Sequence, residues 1–176
     1  MGLKEATAEK HKMAERMPFN GKMFRGELTK EQYGEYLKSQ YAIFTTLENN
    51  FDFPHEGLKR KEAVAQDLLE LGIDWINVPE GVAYSIDPAT TKYVDYIKTL
   101  DHDSAMAHVY LNYLAIMFGG QMMKTKVPST GRMYDFENMM EAAGSIRAIQ
   151  KDEWADEVNK GFDFMIEIFK ELENVL

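Results

Sequence analysis

Apolar and aromatic side chains recurring every three or four residues constrain this chain more than any other feature. Between Glu31 and Phe51, the residues Tyr33, Tyr36, Leu37, Tyr41, Phe44, Leu47 and Phe51 keep to one side of a 3.6-residue turn. Thr29 stands just before the run with Gln32 three residues on, the pattern of a capping box. Asn49-Asn50 and Pro54 mark its end. From Glu153 to Leu176 the same period returns in Trp154, Val158, Phe162, Met165, Phe169, Leu172 and Leu176. Segments of this length and period bury one face each, and the stable solution is helix packed on helix.

Further helices are expected near 3–17, 56–72, 88–99, 103–125 and 135–150, about seven in all. Pro18 with Gly21, the stretch from Gly72 to Pro88, and Pro128-Ser129-Thr130-Gly131 read as connections. The run Gly81–Ile86 alternates as an extended segment would, but such runs are too few for a sheet. The expectation is an all-α fold, one domain over residues 1–176. With no cysteine, the chain has no disulfide, thiolate metal site or thiol nucleophile. Its formal charge of -9 speaks against binding nucleic acid. The longest apolar stretch, Val109 to Phe118, contains Asn112 and is too short to span a bilayer. The start turns charged at once, at Lys4 and Glu5, unlike a secretory leader. A cytoplasmic protein with no membrane partner is expected.

Two segments carry chemistry. The first is the apolar helix through Val109–Phe118, which runs straight into Gly119-Gly120. Each glycine inside a helix costs about 1 kcal/mol relative to alanine. Such a pair either ends the helix, with a new one starting at Gln121, or leaves a kinked, flexible backbone lying flat on a planar ligand. The second is His11, on the side of the first helix that carries Leu3, Thr7, Ala14 and Met17. Glu15, one turn later, can reach one ring nitrogen and leave the other for a metal, or the two form an ordinary ion pair. His55 reads as a solvated turn residue, His102 and Asp103 as a helix start, and His108 as a hydrogen-bonded core histidine. No phosphate-binding loop, dinucleotide fingerprint or hydrolase motif is present.

Taken together, Leu3-Lys4-Glu5-Ala6-Thr7 with His11, Ser39-Gln40-Tyr41 through Leu47-Glu48, Tyr110 through Gly119-Gly120-Gln121, and Glu157–Phe162 resemble the haem oxygenase family, over roughly Leu3 to Leu172. The resemblance implies haem held between a proximal first helix and a Gly-Gly-kinked distal helix. It places the proximal iron ligand on His11 and its carboxylate neighbour on Glu15. Haem-propionate contacts fall on Lys4, Tyr110 and Arg147, and the flexible distal glycines on Gly119 and Gly120. The activity it implies is that of an oxidoreductase. Haem, both substrate and cofactor, would be opened to biliverdin with O2, releasing CO and iron. Electrons would come from ferredoxin or a flavoprotein reductase, and a biliverdin-using enzyme could follow.

The chain departs from the family in the distal pocket. The family's aspartate falls on Ile116, its distal tyrosine on Phe44, its distal arginine on Asn112, and a further glycine on Ala115. Ile116 and Phe44 neither donate nor accept hydrogen bonds, which leaves Asn112, Gln121, a tyrosine or water for proton delivery. A haem carrier or sensor without ring opening is the alternative this pattern raises. A non-haem di-iron oxidase on the same scaffold is a third, needing carboxylates and histidines from several helices.

Overall fold

The computed structural model describes residues 1–75 and 86–176. Most of the Gly81–Ile86 run lies outside the described residues. Among the described residues there is no strand, and nine α-helices carry the fold: α1 Leu3–Ala6, α2 Ala8–Glu15, α3 Pro18–Phe24, α4 Lys30–Asn50, α5 Lys61–Glu70, α6 Pro88–Ile97, α7 His102–Leu114, α8 Met139–Ile149 and α9 Ala155–Leu172. No described helix is long and apolar enough to cross a membrane.

The capping box is present: Gln32 N–H donates to Thr29 Oγ1 at 3.1 Å, and Thr29 N–H donates to Gln32 Oε1 at 2.9 Å. Helix α4 forms the longest wall, packed on α5 and α6, while α9 crosses α2, α6 and α7. Tyr33, Leu37, Phe44 and Leu47 of α4 are fully shielded, as are Tyr113 of α7 and Val158 of α9. Each side chain of this size contributes roughly 1.5–3 kcal/mol when buried. Gly161 is where α9 meets α7 most closely, because a Cβ there would lie 2.4 Å from Leu111 Cδ2 and 3.1 Å from His108 Nδ1.

Several expected boundaries give way to local chemistry. The first helix is two, broken at Thr7, whose hydroxyl donates to the Leu3 carbonyl at 3.0 Å. Pro18 and Gly21 do not form a connection. They belong to α3, where Pro18 occupies the first turn and its fixed φ favours the start. The segment expected at 56–72 is a 3₁₀ turn, Glu56–Leu58, followed by α5. His55 is not simply solvated: its Nδ1 accepts the Gly57 N–H at 2.9 Å and caps that turn. The expected helix at 103–125 stops at Leu114, widens into a π turn over Ala115–Gly119 and tightens into a 3₁₀ turn over Gly120–Met122. The widening begins at Ala115, before either glycine.

Candidate haem-binding site

A cavity of about 520 Å³ opens between α2, the α7–π-turn segment, α8 and α9, with α4 at one wall. That volume lies within the ~300–1,000 Å³ range of small-molecule sites. All nine residues singled out from the sequence line it: Lys4, His11, Glu15, Tyr110, Asn112, Ile116, Gly119, Gly120 and Arg147. They come from segments up to about 140 residues apart in the chain, and only the fold brings them together.

His11 Nε2 lies 2.9 Å from Glu15 Oε1, one helical turn away, and both side chains are 58% exposed. Phe162 of α9 stacks on the imidazole, with centroids 5.6 Å apart and planes 19° from parallel. The ring is therefore held at one nitrogen and on one face, while the other nitrogen has no protein partner among the described residues. A histidine that gives one N–H to a carboxylate and keeps the second nitrogen open is prepared as a metal ligand.

Two exposed cations, Lys4 and Arg147, border the cavity. The Arg147 guanidinium sits 4.7 Å from the centre of the Phe118 ring. Burial raises the pKa of Tyr110, and the charge of Arg147, on the same cavity lining, acts against that rise. Between this rim and the interior the walls are flat or soft: Met23, Phe24, Phe118, Met123, Met165 and Phe169. The combination suits a planar apolar molecule with carboxylates at one edge.

The two glycines do different work. A Cβ on Gly119 would meet nothing within 4 Å, so the cavity reaches the backbone there. A Cβ on Gly120 would lie 2.6 Å from Tyr134 Cδ1 and 2.8 Å from its Cε1. Gly120 is small because a buried tyrosine ring packs beneath it. Sequence reasoning missed Tyr134, which arrives through the 3₁₀ turn Arg132–Tyr134 after left-handed Gly131. Gln121 donates to the Tyr134 carbonyl at 2.8 Å and does not line the cavity, so it is not the free polar group expected of it. Phe44 is equally remote from the cavity, shielded against Tyr113 at 4.8 Å between ring centres.

Asn112 lines the cavity with its amide nitrogen already committed. Its Nδ2 donates to the Tyr93 hydroxyl and to the His108 carbonyl, both at 2.9 Å. Behind it, Tyr93 O–H lies 2.7 Å from His108 Nδ1, and His108 Nε2 lies 2.8 Å from Glu157 Oε2. Tyr96 O–H also donates to Glu157. Burial lowers the His108 pKa and favours the neutral ring. Burial alone would raise Glu157, but the hydrogen bonds from His108 and Tyr96 outweigh it, holding the carboxyl below its usual range. With Tyr93 accepting from Asn112, its own proton goes to Nδ1 and the Nε2–H of His108 goes to Glu157. Asn112 thus keeps only its carboxamide oxygen for the cavity, an acceptor and not a donor.

A di-iron site finds no support in this geometry. Among the described residues no three His, Asp or Glu side chains converge on one point. Asp103 accepts from Lys151 at 2.8 Å and from the Trp154 indole at 3.3 Å, while His108 is fully engaged as above.

The protein-family profile described as Heme oxygenase matches residues 1–171. Heme oxygenase 2 of Oryctolagus cuniculus is 31% identical over 208 aligned residues, covering 97% of this chain and 65% of that protein. The chain thus spans slightly less than two thirds of that relative. The heme complex of heme oxygenase-1 from Synechocystis sp. PCC6803 superposes with a TM-score of 0.82 at 23% identity, over 98% of this chain and 91% of that one. Heme oxygenase from Leptospira interrogans gives 0.77 at 23% identity, over 96% and 97%. With its profile matched over nearly the whole length and its helices arranged as in these structures, the chain belongs to the haem oxygenase family.

Proposed function

We propose that this chain is a haem oxygenase, opening haem oxidatively to biliverdin with release of CO and iron. The observation that carries the reading is a single one. A histidine with one nitrogen on Glu15 and the other free stands in the same soft, flat-walled cavity as the exposed cations Lys4 and Arg147. Bound haem would supply the iron at which O2 is reduced and the macrocycle that is oxidised. His11 would ligate that iron, Glu15 would fix the orientation of its ring, and Phe162 would keep the ring from turning. Lys4 and Arg147 would meet the propionates, with Tyr110 beside Arg147 at the same edge. Gly119 leaves backbone against open space, which lets the distal wall approach a flat ligand. Ile116 keeps that wall apolar at its own position.

Electrons would come from ferredoxin or a flavoprotein reductase in the cytoplasm, and the biliverdin formed would be available to a further enzyme. An absorbance titration with haem, continued by adding a reducing system in air, tests the reading. The expected result is saturation at one haem per chain, then loss of the Soret band and growth of a biliverdin spectrum. A saturable complex whose Soret band survives reduction in air would make the chain a haem carrier or sensor. Absence of saturable binding would overturn both.

A further inference from the structure

Gln40 brings a carboxamide to the cavity wall. It sits on α4 one turn after Tyr36, on the same helix face, and both residues line the cavity. It is 8% exposed, and among the described residues its carboxamide has no hydrogen-bond partner at either end. The other deeply buried polar residues of the wall have found one. Thr7 donates to the Leu3 carbonyl, the N–H groups of Asn112 are spent on Tyr93 and His108, and the hydroxyls of Tyr36 and Tyr134 face each other. Neither carboxamide atom is sealed off, so the amide opens onto the cavity and takes its partner from whatever the cavity holds.

We propose that the Gln40 carboxamide is the hydrogen-bond donor this cavity offers to a small ligand or water on the iron face opposite His11. The inference rests on the haem reading above. A haem macrocycle has polar atoms at its propionates and at its central metal; the remaining periphery is carbon and hydrogen. The propionates belong with the exposed cations Lys4 and Arg147 at the rim, far more polar surroundings than those of a residue nine-tenths buried. With haem bound, what would remain for the Gln40 amide is a small molecule held at the metal. Gln40 then supplies the donor that Ile116 and Phe44 cannot, and that Asn112 has already given to Tyr93 and His108.

Fluoride bound to ferric haem reads such a donor directly, because it is a small charged acceptor. The full chain, loaded with ferric haem, is titrated with fluoride as wild type, as Gln40→Met and as Gln40→Leu. Methionine keeps the unbranched shape of glutamine, and leucine guards against a fault peculiar to methionine. Losing a hydrogen bond to a charged acceptor lowers fluoride affinity by about tenfold or more. Haem affinity and histidine ligation stay as in wild type, and the C–O stretch of the reduced carbon monoxide complex moves to higher wavenumber. Equal fluoride affinity and an unmoved C–O stretch in both haem-loaded variants overturn the role of Gln40 and leave the haem reading standing. A wild-type chain that takes up no haem overturns the haem reading first, and this one with it.

Discussion

His11 and His108 carry the same imidazole in opposite states. His11 stands on α2 with more than half its side chain in solvent and one partner, Glu15, from its own helix. His108 on α7 is fully buried, with Tyr93 on one nitrogen and Glu157 on the other. The wall that carries His11 therefore keeps one ring nitrogen available. The wall behind α7 is complete from within: Gly161 lets α9 approach so closely that Glu157 can reach a histidine with no solvent exposure. Of these two histidines, the one with an uncommitted nitrogen lines the cavity and the fully committed one ties α6, α7 and α9 together.

The comparison breaks most visibly at His11. Removing a partner of a metal ligand typically costs about 10–100-fold in metal affinity, so removing the ligand itself exceeds the upper end of that range. His11→Ala is expected to lose histidine-ligated haem, read as a shifted and weakened Soret band with affinity down by more than about 100-fold. A His11→Ala protein with an unchanged haem spectrum would move the ligand elsewhere and invert the contrast between the two histidines.

Gly119 and Gly120 sharpen the same contrast on the distal side. Gly120→Ala drives a methyl against the Tyr134 ring, which is 2% exposed and has no room to retreat. Overpacking of this kind costs about 1–3 kcal/mol, visible in thermal or urea unfolding of the haem-free protein. Gly119→Ala meets open space and should leave the unfolding midpoint unchanged or raise it, since alanine suits helical backbone better. Its effect should appear only when haem is added, as weaker binding or slower turnover. Equal losses of stability in the two variants would mean that both glycines serve packing.

The Gly-Gly pair also marks where sequence reading reaches its limit. Periodicity reports one element at a time, so α4, with its capping box, and α9 were plain from residue order. His108 could be read as a core histidine because it sits inside an apolar run. The break at Thr7, the helix after Pro18 and the π turn at Ala115 each depend on a hydrogen bond or packing contact that periodicity does not encode. The same is true of the site. Its nine named residues were legible through a resemblance to a family, whereas Tyr134 beneath Gly120 and the free carboxamide of Gln40 follow from which side chains meet in space. Asn112 stood out as a polar residue in an apolar helix, but its loss of donor capacity depends on Tyr93, nineteen residues earlier.

The smallest expected effect is a pH dependence confined to the self-completed wall. Burial lowers the His108 pKa in the folded chain below the unfolded value near 6.5. As pH falls through that value, the unfolded chain takes up a proton that the folded chain refuses, so stability drops on acidification and rises with pH across the interval. Glu157, also held low, adds a loss of the same sign further down, below its unfolded value near 4.5. Glu48 and Asp67 act oppositely, because burial raises both and the folded chain holds their protons more tightly. The His108 contribution, together with its hold on Glu157, is read by comparing wild type with His108→Gln, which is neutral at every pH. Tyr93, Tyr96 and Lys160, the other titratable groups around the pair, remain in both proteins. Urea unfolding at pH values from 7 to 5 should show wild type losing more stability on acidification than His108→Gln does. Parallel curves would mean that the folded chain accepts the proton on His108 as readily as the unfolded one.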